Sequence, residues 1–351
     1  MQTPVATFSQ PEIAQFRRAL LSWFERHKRD LPWRRTRDPY AIWISEIMLQ
    51  QTRVAAVIPF YQRFLARFPD IATLADAPEE DLLAHWAGLG YYHRARNLQK
   101  AAQHMRARDS FPHSHDEIRQ LPGIGEYTSA AVASIAFDLP HAAVDGNVLR
   151  VLSRVRADPV DTASAKGRKH FARVADALLD TKQPGPFNQA MMELGATICL
   201  PKNPQCLLCP VSGVCRARQS GRENEFPVKL VSRKAVTEHR RLLWIERDGS
   251  ILLWQRPAGA RLMPGFWELP EREQLPEAVL SDKVGEFRHA ITYHDYRCEV
   301  YRAEAPVDCA ECRWTPLHTL PALPLSTLVR KARRLAGQPA KQAAGASRNS
   351  R

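Results

Sequence analysis

Nowhere in its 351 residues does the chain contain the run of about 18 apolar residues needed for a membrane-spanning helix. Its opening stretch, MQTPVATFSQPEIAQF, lacks the charged segment followed by an apolar one that marks a secretory signal. The expectation is a soluble, cytoplasmic protein with no membrane partner. Acidic residues are in deficit, with 37 Asp+Glu against 50 Lys+Arg and a formal net charge of +13, which points to an anionic partner such as nucleic acid or a membrane surface. The basic final stretch RKARRLAGQPAKQAAGASRNSR carries only part of that excess. Cysteines are also few, seven in all, yet four of them lie between Cys199 and Cys215. In a cytosolic chain, such crowding favours metal ligation over disulfides.

Strand-like alternation is missing from the first 220 residues or so, which read instead as helices joined by short polar links. PEIAQFRRALLSWFERH has helical apolar spacing, and DPYAIWISEIML starts with Asp38 as cap and Pro39 at the first helical position. The pattern continues through YHRARNLQKAAQHMRAR, HDEIRQL, YTSAAVASIAF, NVLRVLSRV, GRKHFARVADALL and PFNQAMMELGATIC. After a basic linker containing Pro227, HRRLLWIERDGSILLWQR reads as two strands turning at Asp248-Gly249, and HDYRCEVYRAE alternates again. The expected domains are a helical one over 1–224, a linker over 225–236, an α+β domain over 237–335 and a disordered tail over 336–351.

LPGIGEYTSAA lacks the preceding strand and third glycine of a dinucleotide site, and the Gly-Lys-Ser/Thr of a P-loop. Gly123 and Gly125 permit a tight turn whose backbone N–H groups face outward at a helix N-terminus, a ready anion site; an ordinary helix-helix connection also accounts for them. Glu46 stands beside the apolar stripe of Ile44, Ile47 and Met48, where apolar neighbours could raise its pKa, although a surface charge is the usual fate of a helical glutamate. Asp145 precedes a helix and suits an N-cap. Cys199, Cys206, Cys209 and Cys215, with six, two and five residues between them, suit either zinc or an iron-sulfur cluster on chemistry alone.

Taken in order, these motifs resemble the MutY-type adenine DNA glycosylases of the endonuclease III-like, helix-hairpin-helix superfamily, over roughly residues 10 to 330. The Cx6Cx2Cx5C spacing is that of the family's iron-sulfur loop, and the resemblance implies a [4Fe-4S] cofactor. Lys202, Arg216, Arg218 and Arg222 would make that loop a basic, phosphate-facing surface. SEIMLQQTRV is similar to the motif bearing the family's catalytic acid, so Glu46 is expected to protonate adenine N7. Asp145 is expected to stabilise the sugar cation or bond to it transiently, with Asn147 orienting groups nearby. Gly123 and Gly125 become a DNA phosphate grip. Strand-cutting relatives carry a lysine at the position of Tyr127, and a phenol cannot form their Schiff base.

A glycosylase must flip its base and fill the gap, which the resemblance assigns to Gln50, Gln51 and Tyr91; Tyr91 and Tyr92 would equally serve as core residues. Arg94 and Arg96 are expected on the phosphate side, and Trp33, Arg34 and Glu193 in the adenine pocket. PGFWELPE resembles the start of a Nudix fold, but REQLPEAVLSDKVGEF cannot supply its metal-holding glutamates. Such a domain would recognise 8-oxoguanine. Ile291-Thr292-Tyr293 stands where the family has Phe-Ser-His, with His294 one place later, so Thr292 and Tyr293 are the expected contacts, and a plain β-core role also suits them.

The expected fold is therefore multidomain: an all-α helix-hairpin-helix glycosylase domain with a [4Fe-4S] loop, then an α+β Nudix-like domain. The expected activity is removal of adenine opposite 8-oxoguanine or guanine in double-stranded DNA by a monomer, leaving an abasic site for downstream repair enzymes. The rivals are a bifunctional glycosylase/lyase, disfavoured by Tyr127; a non-catalytic iron-sulfur DNA-binding protein, disfavoured by Glu46 with Asp145; and a Nudix hydrolase, disfavoured by the missing glutamates.

Overall fold

The computed structural model describes residues 8–108, 110–230, 236–257, 259–260, 263–291, 294–305, 311–320 and 323–337. They pack as two compact units. One takes in the chain up to residue 77 and from 94 to 232; the other takes in 78–93 and the chain from 233 onward. Residues 78–93, which the sequence reading assigns to the helical domain, group by their contacts with the second unit, where the Tyr92 ring centroid lies 4.0 Å from that of Phe266.

The helices run α1 Gln10–His27, α2 Pro39–Leu49, α3 Val54–Arg67, α4 Ile71–Asp76, α5 Glu79–Trp86, α6 His93–Arg106, α7 His115–Arg119, α8 Glu126–Phe137, α9 Gly146–Arg156, α10 Ala165–Leu178, α11 Pro184–Thr197 and α12 Arg216–Gln219. The sequence explains most of their starts. Ser9 and Glu12 close a capping box on α1, and Asp38 accepts from Tyr40 and Ala41 N–H ahead of Pro39. Asp145 caps α9 through Val148 N–H, at 2.7 Å. α2 is buried all round from Tyr40 to Met48, which makes it the central helix of its unit. Small residues Ala130, Ala131, Ala133 and Ser134 let α8 lie close to its neighbours, α2 and α11. A second core joins Phe16, Leu20 and Trp23 of α1 to Val151 and Leu152 of α9, Phe171 of α10 and Leu194 of α11.

The strands of the second unit are β1 Val236–Trp244, β2 Glu246–Arg247, β3 Ser250–Gln255, β4 Trp267–Glu268, β5 Val279–Ile291, β6 His294–Glu304 and β7 Cys312–Pro316, followed by helix α13 Thr327–Ala336. Asp248 and Gly249, both at positive φ, turn β2 into β3 as the sequence suggests. That hairpin is short, because the greater part of the first strand, β1, pairs instead in parallel with β6 from Val236↔His294 to Trp244↔Arg302. One sheet is ordered β1-β6-β5, and in the other β3 is flanked by β2, β4 and β7.

Candidate active site

A cavity of about 670 Å³ opens in the first unit where α2, α8, α9 and α11 meet. Glu46 comes from the middle of α2 and is 5% exposed, so it is no surface charge. Its Oε2 accepts a hydrogen bond from the Tyr127 hydroxyl of α8 at 2.7 Å. Burial pushes the Glu46 carboxyl up to about 7; donation from Tyr127 opposes the rise, nearby Asp145 adds to it and Arg34 draws it back. The Tyr127 phenol is raised well above its ordinary value by burial and by these carboxylates, so it stays protonated and keeps a proton to donate to Glu46.

Asp145 enters the same cavity from the N-terminus of α9. Burial raises its carboxyl, and hydrogen bonds from Val148 N–H, at 2.7 Å, and the Asn147 amide, at 2.8 Å, pull it back. Asn147 also lines the cavity and is itself held, its Oδ1 accepting from Arg150 at 2.8 Å. Arg150 further donates to the carbonyls of Gly195 and Cys199, both at 2.7 Å. The sequence reading missed Arg150: it looks like any basic residue on α9, and two of its three partners are backbone carbonyls 45 and 49 residues away.

Trp33, Arg34 and Glu193 line the same cavity. Glu193 is 1% exposed, and burial would raise its carboxyl, but hydrogen bonds from Arg29 and Arg34 outweigh that and hold it at about 2. Arg29 is a second residue the sequence did not single out. Gln50 and Gln51 stand at the cavity edge. The Gln50 amide donates to Thr128 Oγ1 at 3.2 Å, whereas Gln51 is exposed and sits at φ 57°.

The two glycines differ. Gly123 has φ 76°, and a Cβ there would stand 2.6 Å from Cβ of Asn97. Gly125 is extended backbone at the N-cap of α8, lines the cavity and faces open space. No side chain caps α8, so its first-turn N–H groups keep their donor capacity. Gly123 and Tyr91 lie outside the cavity lining, and Tyr91 belongs to the second unit. Thr292 and Tyr293 lie outside the described residues.

Arg94 is not on a phosphate-facing surface. It is 4% exposed and donates to the carbonyls of Ile47, at 2.7 Å, and Gln50, at 2.6 Å, tying down the C-terminus of α2. Helix-end carbonyls without intrahelical partners need such a donor.

Cys199, Cys206, Cys209 and Cys215 line a second, small cavity behind α9 and α11. Arg154, 2% exposed, donates to Cys199 Sγ at 3.4 Å and to the carbonyl of Leu200 at 2.6 Å. Burial pushes the Cys209 thiol up to about 12 and Cys215 to about 11. Among the described residues no three of these side chains gather as they would around one metal ion. The loop is less openly basic than its sequence suggests: Arg222 is bonded to Glu225, Arg216 pairs with Glu12, and Arg218 lines the cysteine cavity. In the second unit, Glu268 and Glu271 of PGFWELPE accept from Arg256, at 2.8 Å, and Arg240, at 2.6 Å.

A model of the HhH-GPD superfamily of base excision DNA repair proteins matches residues 44–175, and one of the NUDIX domain matches residues 241–335. An adenine DNA glycosylase of Rattus norvegicus is 38% identical over 328 residues, spanning 77% of this chain and 63% of the rat protein. One of Mus musculus is 34% identical over 414 residues, spanning 95% of this chain and 80% of the mouse protein. The chain therefore spans just under two thirds of the rat relative's length. Among solved structures, a thermostable thymine-DNA glycosylase is 28% identical with a TM-score of 0.55, covering 60% of this chain and 98% of that one.

Proposed function

Since the chain belongs to the adenine DNA glycosylase family, we propose that it hydrolyses the N-glycosidic bond of adenine opposite 8-oxoguanine or guanine in duplex DNA and leaves an abasic site for other repair enzymes. The helical unit has the HhH-GPD fold, and the strand-rich region contains a NUDIX domain. The observation that carries the reading is the pairing in one cavity of a buried, proton-holding Glu46 with a hydrogen-bonded Asp145.

Glu46 gives its proton to adenine N7, and the C1′–N bond breaks with its electron pair passing to the base. Asp145, held by Val148 N–H and Asn147, faces the resulting sugar cation as an anion or by a transient bond; water then supplies the hydroxyl at C1′ and gives its remaining proton to the Glu46 carboxylate. The Tyr127 hydroxyl donates to the Glu46 carboxylate as its charge forms, a hydrogen bond that strengthens with the reaction. No amine stands at Tyr127 to attack the sugar, which supports base removal without strand cutting. The uncapped start of α8 and the open face of Gly125 suit a DNA phosphate, and exposed Gln51 suits the gap left by the flipped base.

The four cysteines suit an iron-sulfur group: they line one small cavity, and Arg154 donates to Cys199 Sγ. When bound, a [4Fe-4S] cluster supplies iron-thiolate bonds that fix this loop. Arg150 links the loop's Cys199 carbonyl to Asn147, and so to Asp145.

The test uses duplexes containing A:8-oxoG, A:G, A:T and oxidised pyrimidines, with half of each reaction treated with alkali. Strand breaks in the first two duplexes, and only after alkali, are expected. Breaks without alkali would return the bifunctional reading, and full release by Glu46→Gln would remove Glu46 from the mechanism.

A further inference from the structure

Helix α10 takes no part in the site above. Its inner face is an ordinary core stripe of Phe171, Val174, Ala175 and Leu178, and Ser164 caps it through Gly167 N–H at 2.9 Å. Its outer face carries four exposed cations, Lys166, Arg168, Lys169 and Arg173. None of the four has an ion pair or side-chain hydrogen bond among the described residues. They surround a concavity of about 840 Å³ whose remaining charged wall is Glu126, the first residue of α8, and Arg119 engages that carboxylate at 3.0 Å. His170, on the same stripe, is already bonded to the buried Asp158 at 2.7 Å.

This arrangement does not serve the helix. Lys166 and Arg168 sit in the first turn, against the positive end of the helix dipole. Lys169 and Arg173 are four apart, a like-charge spacing that destabilises a helix. Cations so placed, without acidic partners and beside the first turn of α8, await an external anion. From Lys166 to Arg173 the stripe runs about 10 Å along the helix, enough to face about three phosphates of one DNA strand.

We propose that the outer face of α10 is a second phosphate-binding surface, seating the backbone of duplex DNA beside the hairpin turn. The inference rests on the DNA-directed reading above. An acidic protein surface is the competing occupant, and the experiment separates the two.

The full chain is titrated with an undamaged labelled duplex across about 50 to 200 mM salt, and compared with the variant Lys166→Gln/Arg168→Gln/Lys169→Gln/Arg173→Gln. Each lost phosphate contact lowers the log-log salt slope by about 0.9, so a fall of about 3 to 4 is expected, and the wild type loses about a hundredfold more affinity over that range than the variant. The smaller variant Lys169→Gln/Arg173→Gln, for use if the fourfold one fails to fold, should lower the slope by about 2. Arg168→Lys/Arg173→Lys, which keeps the charge, should retain the wild-type slope. Equal slopes for wild type and the neutralised variants overturn the proposal, including the case where the face serves an acidic protein. Adenine release from an A:8-oxoG duplex is measured separately on the wild type: a fallen slope without release sinks the catalytic reading and spares this one, and release with equal slopes does the reverse.

Discussion

At the scale of single residues, the proposed chemistry turns on where Glu46 keeps its proton. With its carboxyl at about 7, adenine release under single-turnover conditions should be level below that pH and fall about tenfold per unit above it. Tyr127→Phe removes a hydrogen bond that favours the ionised form, so the falling limb should move to higher pH; a limb that stays in place would assign it to another group. The same shift has a stability counterpart. The unfolded carboxyl titrates near 4.5 and the folded one near 7, so between these values the native state binds more protons and stability falls as pH rises. The loss is on the order of 3 kcal/mol. Glu46→Gln should therefore match the wild type in urea unfolding near pH 4.5 and exceed it near pH 8. Glu46 was legible in the sequence through its motif. Its partner was not: Tyr127 suggested only what the reaction omits, because a hydrogen bond spanning 81 residues leaves no local pattern.

At the scale of elements, the turn between α7 and α8 tests whether its two glycines do different work. Gly123→Ala must adopt φ 76° with a Cβ 2.6 Å from Asn97, and should lose about 1–3 kcal/mol in thermal or urea unfolding. Gly125→Ala meets no atom and has ordinary backbone, so its stability should stay within about 0.5 kcal/mol of wild type. Its new methyl would stand where a phosphate must approach, and duplex affinity should drop about tenfold, about 1.4 kcal/mol. Equal stability loss in both variants would make the turn a simple connection. The sequence made the helices legible because caps and periodicity are local: Asp38 and Asp145 each mark a start. It did not reveal α4, whose six residues are too few for a periodic signal, nor the parallel pairing of β1 with β6, which depends on residues nearly 60 positions away. Arg94 misled for a related reason, since a basic residue in a basic helix looks solvent-facing until the carbonyls it binds are seen.

At the scale of the whole molecule, the two units are not two consecutive lengths of chain. Residues 78–93 leave the helical unit and pack with the chain from 233 onward, although α6 resumes the first unit at once. Within that segment Leu82, Trp86 and Tyr92 are all under 9% exposed, and the Tyr92 ring stacks at a tilt against Phe266. A chain cut after residue 232 would keep the segment and lose the unit it packs with. Exposed apolar side chains and a short helix such as α5, eight residues long, cannot hold a fold unaided. The truncated protein should therefore be cleaved by a low dose of protease within 78–93, as fragment masses would report, while the intact chain resists there. Tyr91 lies in the same stretch, so duplex binding should weaken along with protection. If instead the truncated chain resists cleavage over 78–93 as well as the full one, the helical unit holds that segment by its own contacts, and the boundary returns to the one that the sequence suggests.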